Sequence, residues 1–92
     1  PANVELIEVF PAGTRLLDIN LKPDGLCIVD LSSEVRQVTD RNQEQRMVEA
    51  VAKTLGQFPA VQEITFMING EYVDSIGGYV DLSAPIGTDY RS

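Results

Sequence analysis

The chain has 92 residues, 43% of them apolar, and its fourteen Asp and Glu outnumber seven Lys and Arg to give a net charge of −7 with no histidine. That length supports one modest core, the acidic balance disfavours nucleic acid or an anionic lipid surface as a partner, and no stretch reaches the roughly 20 consecutive apolar residues of a membrane span. Without histidine the commonest general base near neutral pH and the commonest transition-metal ligand are both missing, and the single Cys27 leaves no intramolecular disulfide and no cysteine-based zinc site.

Residues 1–13 read as an irregular lead-in, with Pro1 and Pro11 bracketing an apolar stretch that closes in Pro11-Ala12-Gly13. From Thr14 to Lys22 the pattern alternates: Leu17, Ile19 and Leu21 share one face, Asp18, Asn20 and Lys22 the other, and Leu16 is an exception on the polar side. Such alternation predicts a half-buried strand. Pro23-Asp24-Gly25 supplies a turn, and 26–31, apolar on both faces except for Asp30, predicts a more central strand.

A polar stretch leads to a helix expected over about 41–56. Asp40 is its N-cap, Gln43 follows in capping-box position, and Met47, Val48, Val51, Leu55 and Phe58 form an apolar stripe. Gly56 and Pro59 end it. Ile64, Phe66 and Ile68 alternate along the next strand, Asn69-Gly70 signals a hairpin, and 71–76 should return. Gly77-Gly78 breaks that strand, and 79–87 reads as one more short extended piece before the tail 88–92. The expected fold is α+β, a two-layer arrangement in which a mixed sheet of about four strands carries one main helix on one face, in the order β-β-α-β-β plus a terminal extended segment.

Few residues offer chemistry. Cys27 lies between Leu26 and Ile28 in a strand core, where a thiol packs rather than reacts. Ser-Lys chemistry would need Lys22 or Lys53 buried beside a serine, and both are expected to be exposed. The tetrapeptide Val-Asp-Leu-Ser occurs twice, at 29–32 and 80–83. Too short to be a structural repeat, it does offer Asp30 and Asp81 as a carboxylate pair. A hydrolase built on them would need the two carboxyls within about 10 Å; the plainer expectation is that each ends a strand and caps the following turn. Gly77-Gly78 lacks the Lys-Ser/Thr of a phosphate loop and reads as a tight turn. No catalytic, cofactor-binding or metal-ligating residue is assigned.

Three ordered blocks, "FPAGTRLLDINLKPDGLCIVDLSSEV", "VAKTLGQFPAVQEITFMING" and "SIGGYVDLSAPI", resemble the GerM-type (GerMN) sporulation and spore germination domain from about Phe10 to Ile86. The resemblance implies a single domain over 1–92, with lead-in 1–13, core 14–86 and tail 87–92. It further implies a non-enzymatic module in an extracytoplasmic, membrane-anchored or lipoprotein context in bacteria, with the membrane reached only through an anchor outside this sequence. The expected partner is a protein of the cell envelope, or further copies of the chain in a homo-oligomer. A small-ligand or cell-wall-binding accessory role is the alternative. Family members usually carry a strand and a helix before the lead-in, so the chain resembles the C-terminal two thirds of the domain, and an unpaired sheet edge with an uncovered apolar face is expected.

Overall fold

The computed structural model describes residues 9–90; most of the expected lead-in, 1–8, lies outside the described residues. The alternating segment forms β1 (Leu16–Leu21) and the apolar run forms β2 (Leu26–Leu31), an antiparallel hairpin closed at Pro23-Asp24-Gly25. Asp24 Oδ1 accepts the Leu26 N–H at 3.1 Å, and Gly25 takes a φ of 93°. The Gly25 carbonyl accepts from the N–H groups of Gln62 and Glu63, and an added Cβ at Gly25 would stand 2.5 Å from Gln62 Cγ. Glycine is therefore required twice there, for positive φ and for room.

Beyond β2 a turn of 3₁₀ helix (Ser33–Gln37) buries Val35, and α1 (Arg41–Leu55) follows. The cap is as expected in kind, since Asp40 Oδ1 accepts the Gln43 N–H at 2.8 Å. Gln43 Oε1 reaches one residue further back than a capping box, taking the N–H and hydroxyl of Thr39. Gly56 is the C-cap with an ordinary right-handed φ of −65°. Crowding explains it: a Cβ there would lie 2.9 Å from the Ala52 carbonyl and 3.0 Å from Thr88 Cβ. Met47, Val48, Val51 and Ala52 are buried, but Phe58 falls beyond the helix and is 58% exposed, so the stripe ends at Leu55.

Because α1 crosses over the sheet, β3 (Glu63–Ile68) pairs parallel to β2, from Leu26 opposite Glu63 to Leu31 opposite Ile68. Asn69 and Gly70 both take positive φ, 50° and 79°, as a type I′ hairpin turn demands, and β4 (Glu71–Tyr72) returns against β3. The returning strand is two residues long rather than the six expected over 71–76. The expected extended piece over 79–87 shrinks to β5 (Ile86–Gly87), which pairs antiparallel with the start of β3. The mixed five-stranded sheet has the path β1-β2-β3-β4, with β5 also on β3. One core lies between sheet and helix: Cys27, Val29 and Leu31 of β2 and Ile64, Phe66 and Ile68 of β3 meet Met47, Val48 and Val51 of α1. Each such side chain contributes about 1.5–3 kcal/mol when fully buried.

Candidate interaction surface

Both central strands are covered on the helix side, and β1 is not. All six of its residues are exposed, with Leu16 at 55% and Leu17, Ile19 and Leu21 at about 45%. The half-buried strand expected from its alternation is therefore open. A register break between Leu16 and Asp18 sets Leu16 opposite Leu31, which corrects the placement of Leu16 on the polar side. The bulge inserts one residue and returns Leu16 to the apolar face. Leu16 and Ile19 then line, with Val29, Val51, Leu55 and Phe58, an apolar groove of about 420 Å³. Phe10 and Pro11 close one wall, where the Thr14 hydroxyl donates to the Pro11 carbonyl at 2.7 Å.

The backbone of β1 is oriented by its hairpin. Lys22 N–H donates to the Leu26 carbonyl at 2.8 Å, so Lys22, Asn20 and Asp18 turn their N–H and C=O groups to β2. By antiparallel alternation Ile19 and Leu21 turn theirs away. Among the described residues β1 is an outer strand. Its start is fastened by the first Val-Asp-Leu-Ser: buried Ser32 accepts the Arg15 N–H on its hydroxyl at 2.8 Å and donates its own N–H to the Arg15 carbonyl. The same hydroxyl hydrogen-bonds Glu34 and, with a backbone N–H, holds its carboxyl below the usual range.

The candidate chemical groups are occupied in structural tasks. Burial pushes the Cys27 thiol up, away from thiolate. Asp30 Oδ1 accepts the Gly70 N–H at 3.0 Å, capping the β3–β4 turn forty residues away rather than the turn after its own strand. Parallel pairing of β2 with β3 brings that turn to it. Asp81 does cap its own turn, accepting the N–H and hydroxyl of Ser83, and these bonds lower its carboxyl below the ordinary value. The two carboxylates share no hydrogen-bond partner. Lys22 and Lys53 are both exposed.

One important side chain escaped the sequence reading. Glu44 is 0% exposed; its carboxylate accepts the N–H groups of Ile76 at 3.2 Å, Gly77 at 2.7 Å and Val80 at 3.0 Å. Gly77-Gly78 is the receiving turn. A Cβ on Gly77 would meet Val38 Cγ2 at 2.3 Å and Glu44 Oε1 at 3.1 Å, and Gly78 has a φ of 95°. Arg36 secures the same loop by donating to the Ile76 carbonyl at 3.0 Å. The available signal was position: Glu44 precedes Met47 and Val48 by three and four residues, on the apolar stripe itself.

Among the described residues no helix is long and apolar enough to cross a membrane, and no group of three or more His, Cys, Asp or Glu could hold a metal ion. The family model for sporulation and spore germination (Germane) matches residues 1–74. The chain belongs to this family. It is 36% identical over 62 residues to the spore germination protein GerM of Bacillus subtilis, covering 67% of this chain and 16% of that protein. Solved structures agree. The first GerMN domain of Bacillus subtilis GerM matches with a TM-score of 0.75 at 30% identity over 86% of this chain and 59% of its own. A Clostridium perfringens protein named "Putative Lipoprotein" matches with a TM-score of 0.82 at 29% identity over 94% of this chain and 64% of its own. This GerM-type domain thus spans under two thirds of each of these relatives.

Proposed function

We propose that this GerM-type domain is a non-enzymatic protein-interaction and assembly module of the bacterial cell envelope, docking through the β1 edge and the apolar groove beside it. The carrying observation is that Leu16, Ile19 and Leu21, on the face that elsewhere builds the core, stay about half exposed along an outer strand. Exposed apolar surface next to unpaired backbone is where a partner gains both burial and hydrogen bonds. The extracytoplasmic, lipoprotein-associated setting is supported by the lipoprotein name of the Clostridium perfringens neighbour and by the sporulation protein GerM. The net charge of −7 favours a protein over nucleic acid.

Against catalysis stand the lack of histidine, the buried neutral thiol of Cys27, and the engagement of Asp30 and Asp81 in separate turns. A small-ligand or cell-wall-binding role is the competing reading. The groove has the size of a ligand site, but such sites orient their ligands with several convergent polar groups, and here the lining side chains are apolar apart from two threonines, of which Thr14 has its hydroxyl spent on Pro11.

The test is cross-linking in the producing cell, comparing the native protein with the doubly substituted Leu16→Glu, Leu21→Glu form at matched abundance. The expected result is a defined cross-linked envelope protein that disappears with the substitutions. An unchanged cross-linking pattern, or retention on purified cell wall that the substitutions do not weaken, overturns the reading.

A further inference from the structure

The outer face of the sheet carries a charge arrangement that the fold leaves uncompensated. Asp18 of β1 stands directly opposite Asp30 of β2, and like charges in that position are destabilising. Asp30 is fixed by the Gly70 N–H, and across it on β3 lies Met67, so no cation enters from that side. Within the described residues no hydrogen bond or ion pair engages the side chains of Asp18 or Lys22. A strand that sets a positive charge opposite Asp18 can add only on the side of β1 away from β2.

Here the symmetry of β1 matters. Because Ile19 and Leu21 present their backbone groups outward, a strand added there must hydrogen-bond at those two positions. If the added strand is β1 of a second copy, antiparallel and related by a two-fold axis at Asn20, Ile19 hydrogen-bonds opposite the Leu21 of the other copy, and Leu21 opposite its Ile19. Asp18 then lies opposite Lys22 of the second copy, and Lys22 opposite its Asp18. The same register matches apolar with apolar and supplies the missing cation twice. The edge is also the right place for two acidic chains to meet: Arg15 and Lys22, two of the seven basic residues, flank a single Asp18 in a chain of net charge −7.

Resting on the interaction reading above and naming its partner, we infer that β1 is an isologous dimerisation edge at which a second copy of this chain adds antiparallel about Asn20 to make one continuous sheet. Closure by a two-fold consumes both free edges and leaves no further β1 to extend a filament.

The experiment is a charge swap read by sedimentation equilibrium. The native chain should reach twice its 10.1 kDa mass in a concentration-dependent way. Asp18→Lys and Lys22→Asp, each alone, should weaken self-association about tenfold, since two opposite-charge pairs become like-charge pairs at up to about 1 kcal/mol each. An equimolar mixture of the two variants should recover the dimer, because their charges complement across the axis. Both substitutions are on exposed positions, and far-UV circular dichroism checks that the fold is kept. In parallel, Asn20→Cys should oxidise to a disulfide-linked dimer, as facing non-hydrogen-bonded residues stand about 4.5 Å apart, whereas Ser83→Cys on the far loop should not. A monomer at every concentration overturns the proposal. So does dimerisation indifferent to both substitutions, or a mixture no better than its components. A monomer that still cross-links to a different envelope protein through Leu16 and Leu21 would sink the dimer while leaving the interaction reading intact.

Discussion

The two flanks of the central β2–β3 pair solve opposite problems. On one side β1 is a regular strand, correctly hydrogen-bonded to β2, and every one of its residues is exposed. On the other, 73–85 has no regular structure, yet Ile76, Val80 and Leu82 are all buried. Regularity and burial are thus decoupled in this domain. The irregular flank is held by a buried carboxylate that accepts three backbone N–H groups, replacing the sheet ladder that the segment forgoes. The regular flank has its ladder on one side, and its apolar side chains stay about half exposed. Of the Val-Asp-Leu-Ser copies, the first ends β2, with Ser32 just beyond it, and the second lies within the clamped loop. Their shared letters serve different ends: Asp30 caps a distant hairpin, and Asp81 caps its own turn.

If the irregular flank depends on Glu44, its removal should cost more than any other single change. Glu44→Ala leaves three N–H groups without an acceptor, those of Ile76 and Val80 buried, and we expect a loss of about 3 kcal/mol in denaturant unfolding. Glu44→Gln keeps one acceptor but turns an N–H₂ group toward donors, and should cost about half as much. Proteolysis before global unfolding should cut first within 73–85. A loss below about 1 kcal/mol for Glu44→Ala would mean that apolar burial alone holds the loop.

Gly77→Ala tests the same clamp from the receiving side. The added Cβ would be 2.3 Å from Val38 Cγ2 and would press on the carboxylate, so about 2 kcal/mol is expected by overpacking. In the Glu44→Ala background the effect should shrink, a coupling that a double-mutant cycle measures. Next in size comes Asp40→Ala, which removes the N-cap acceptor of the helix that carries Glu44. It should cost about 1 kcal/mol.

Local chemistry made the hairpins, the cap and the helix readable. Pro23-Asp24-Gly25, Asp40 and Asn69-Gly70 each specify their backbone within four residues, and the alternation of Ile64, Phe66 and Ile68 announces its own strand. The clamp was not legible in this way. Glu44 finds its partners more than thirty residues later, and a Glu on a helix is by default a solvated residue. The Gly-Gly that receives it signals a turn, but the signal does not carry the reason Gly77 must lack a Cβ. Leu16 was misplaced because a bulge shifts the alternation by one and leaves no mark in composition. Phe58 matches the helix stripe by spacing, but Gly56 ends the helix before it. The exposure of β1 has a similar origin: alternation says which face a strand offers, not whether another element covers it.

A pH dependence should follow from Cys27. Burial raises its thiol above the ordinary value, so the folded chain stays protonated at a pH where the unfolded chain, titrating near about 8.5, ionises. Stability is therefore unaffected by this group at neutral pH and falls as pH climbs above that value toward the folded thiol's own, because the unfolded state binds fewer protons there. Cys27→Ala should flatten this alkaline slope while lowering stability at pH 7 through lost packing. Native-state alkylation should track global opening, and rapid labelling at neutral pH would contradict the buried neutral thiol.

The smallest effect on stability should come from the most conspicuous residues. Leu17 sits at the register break of β1, 44% exposed, and Leu17→Thr trades an apolar side chain in water for one with good strand propensity. We expect a change within about 0.5 kcal/mol in the monomer, measured at a concentration low enough to suppress association. Glu44 and Leu17 then mark the two ends of the comparison, a charged residue on which the fold depends and an apolar one it barely needs. A loss above about 1.5 kcal/mol for Leu17→Thr would break that comparison, since it would mean that the side chain at the bulge packs within the monomer.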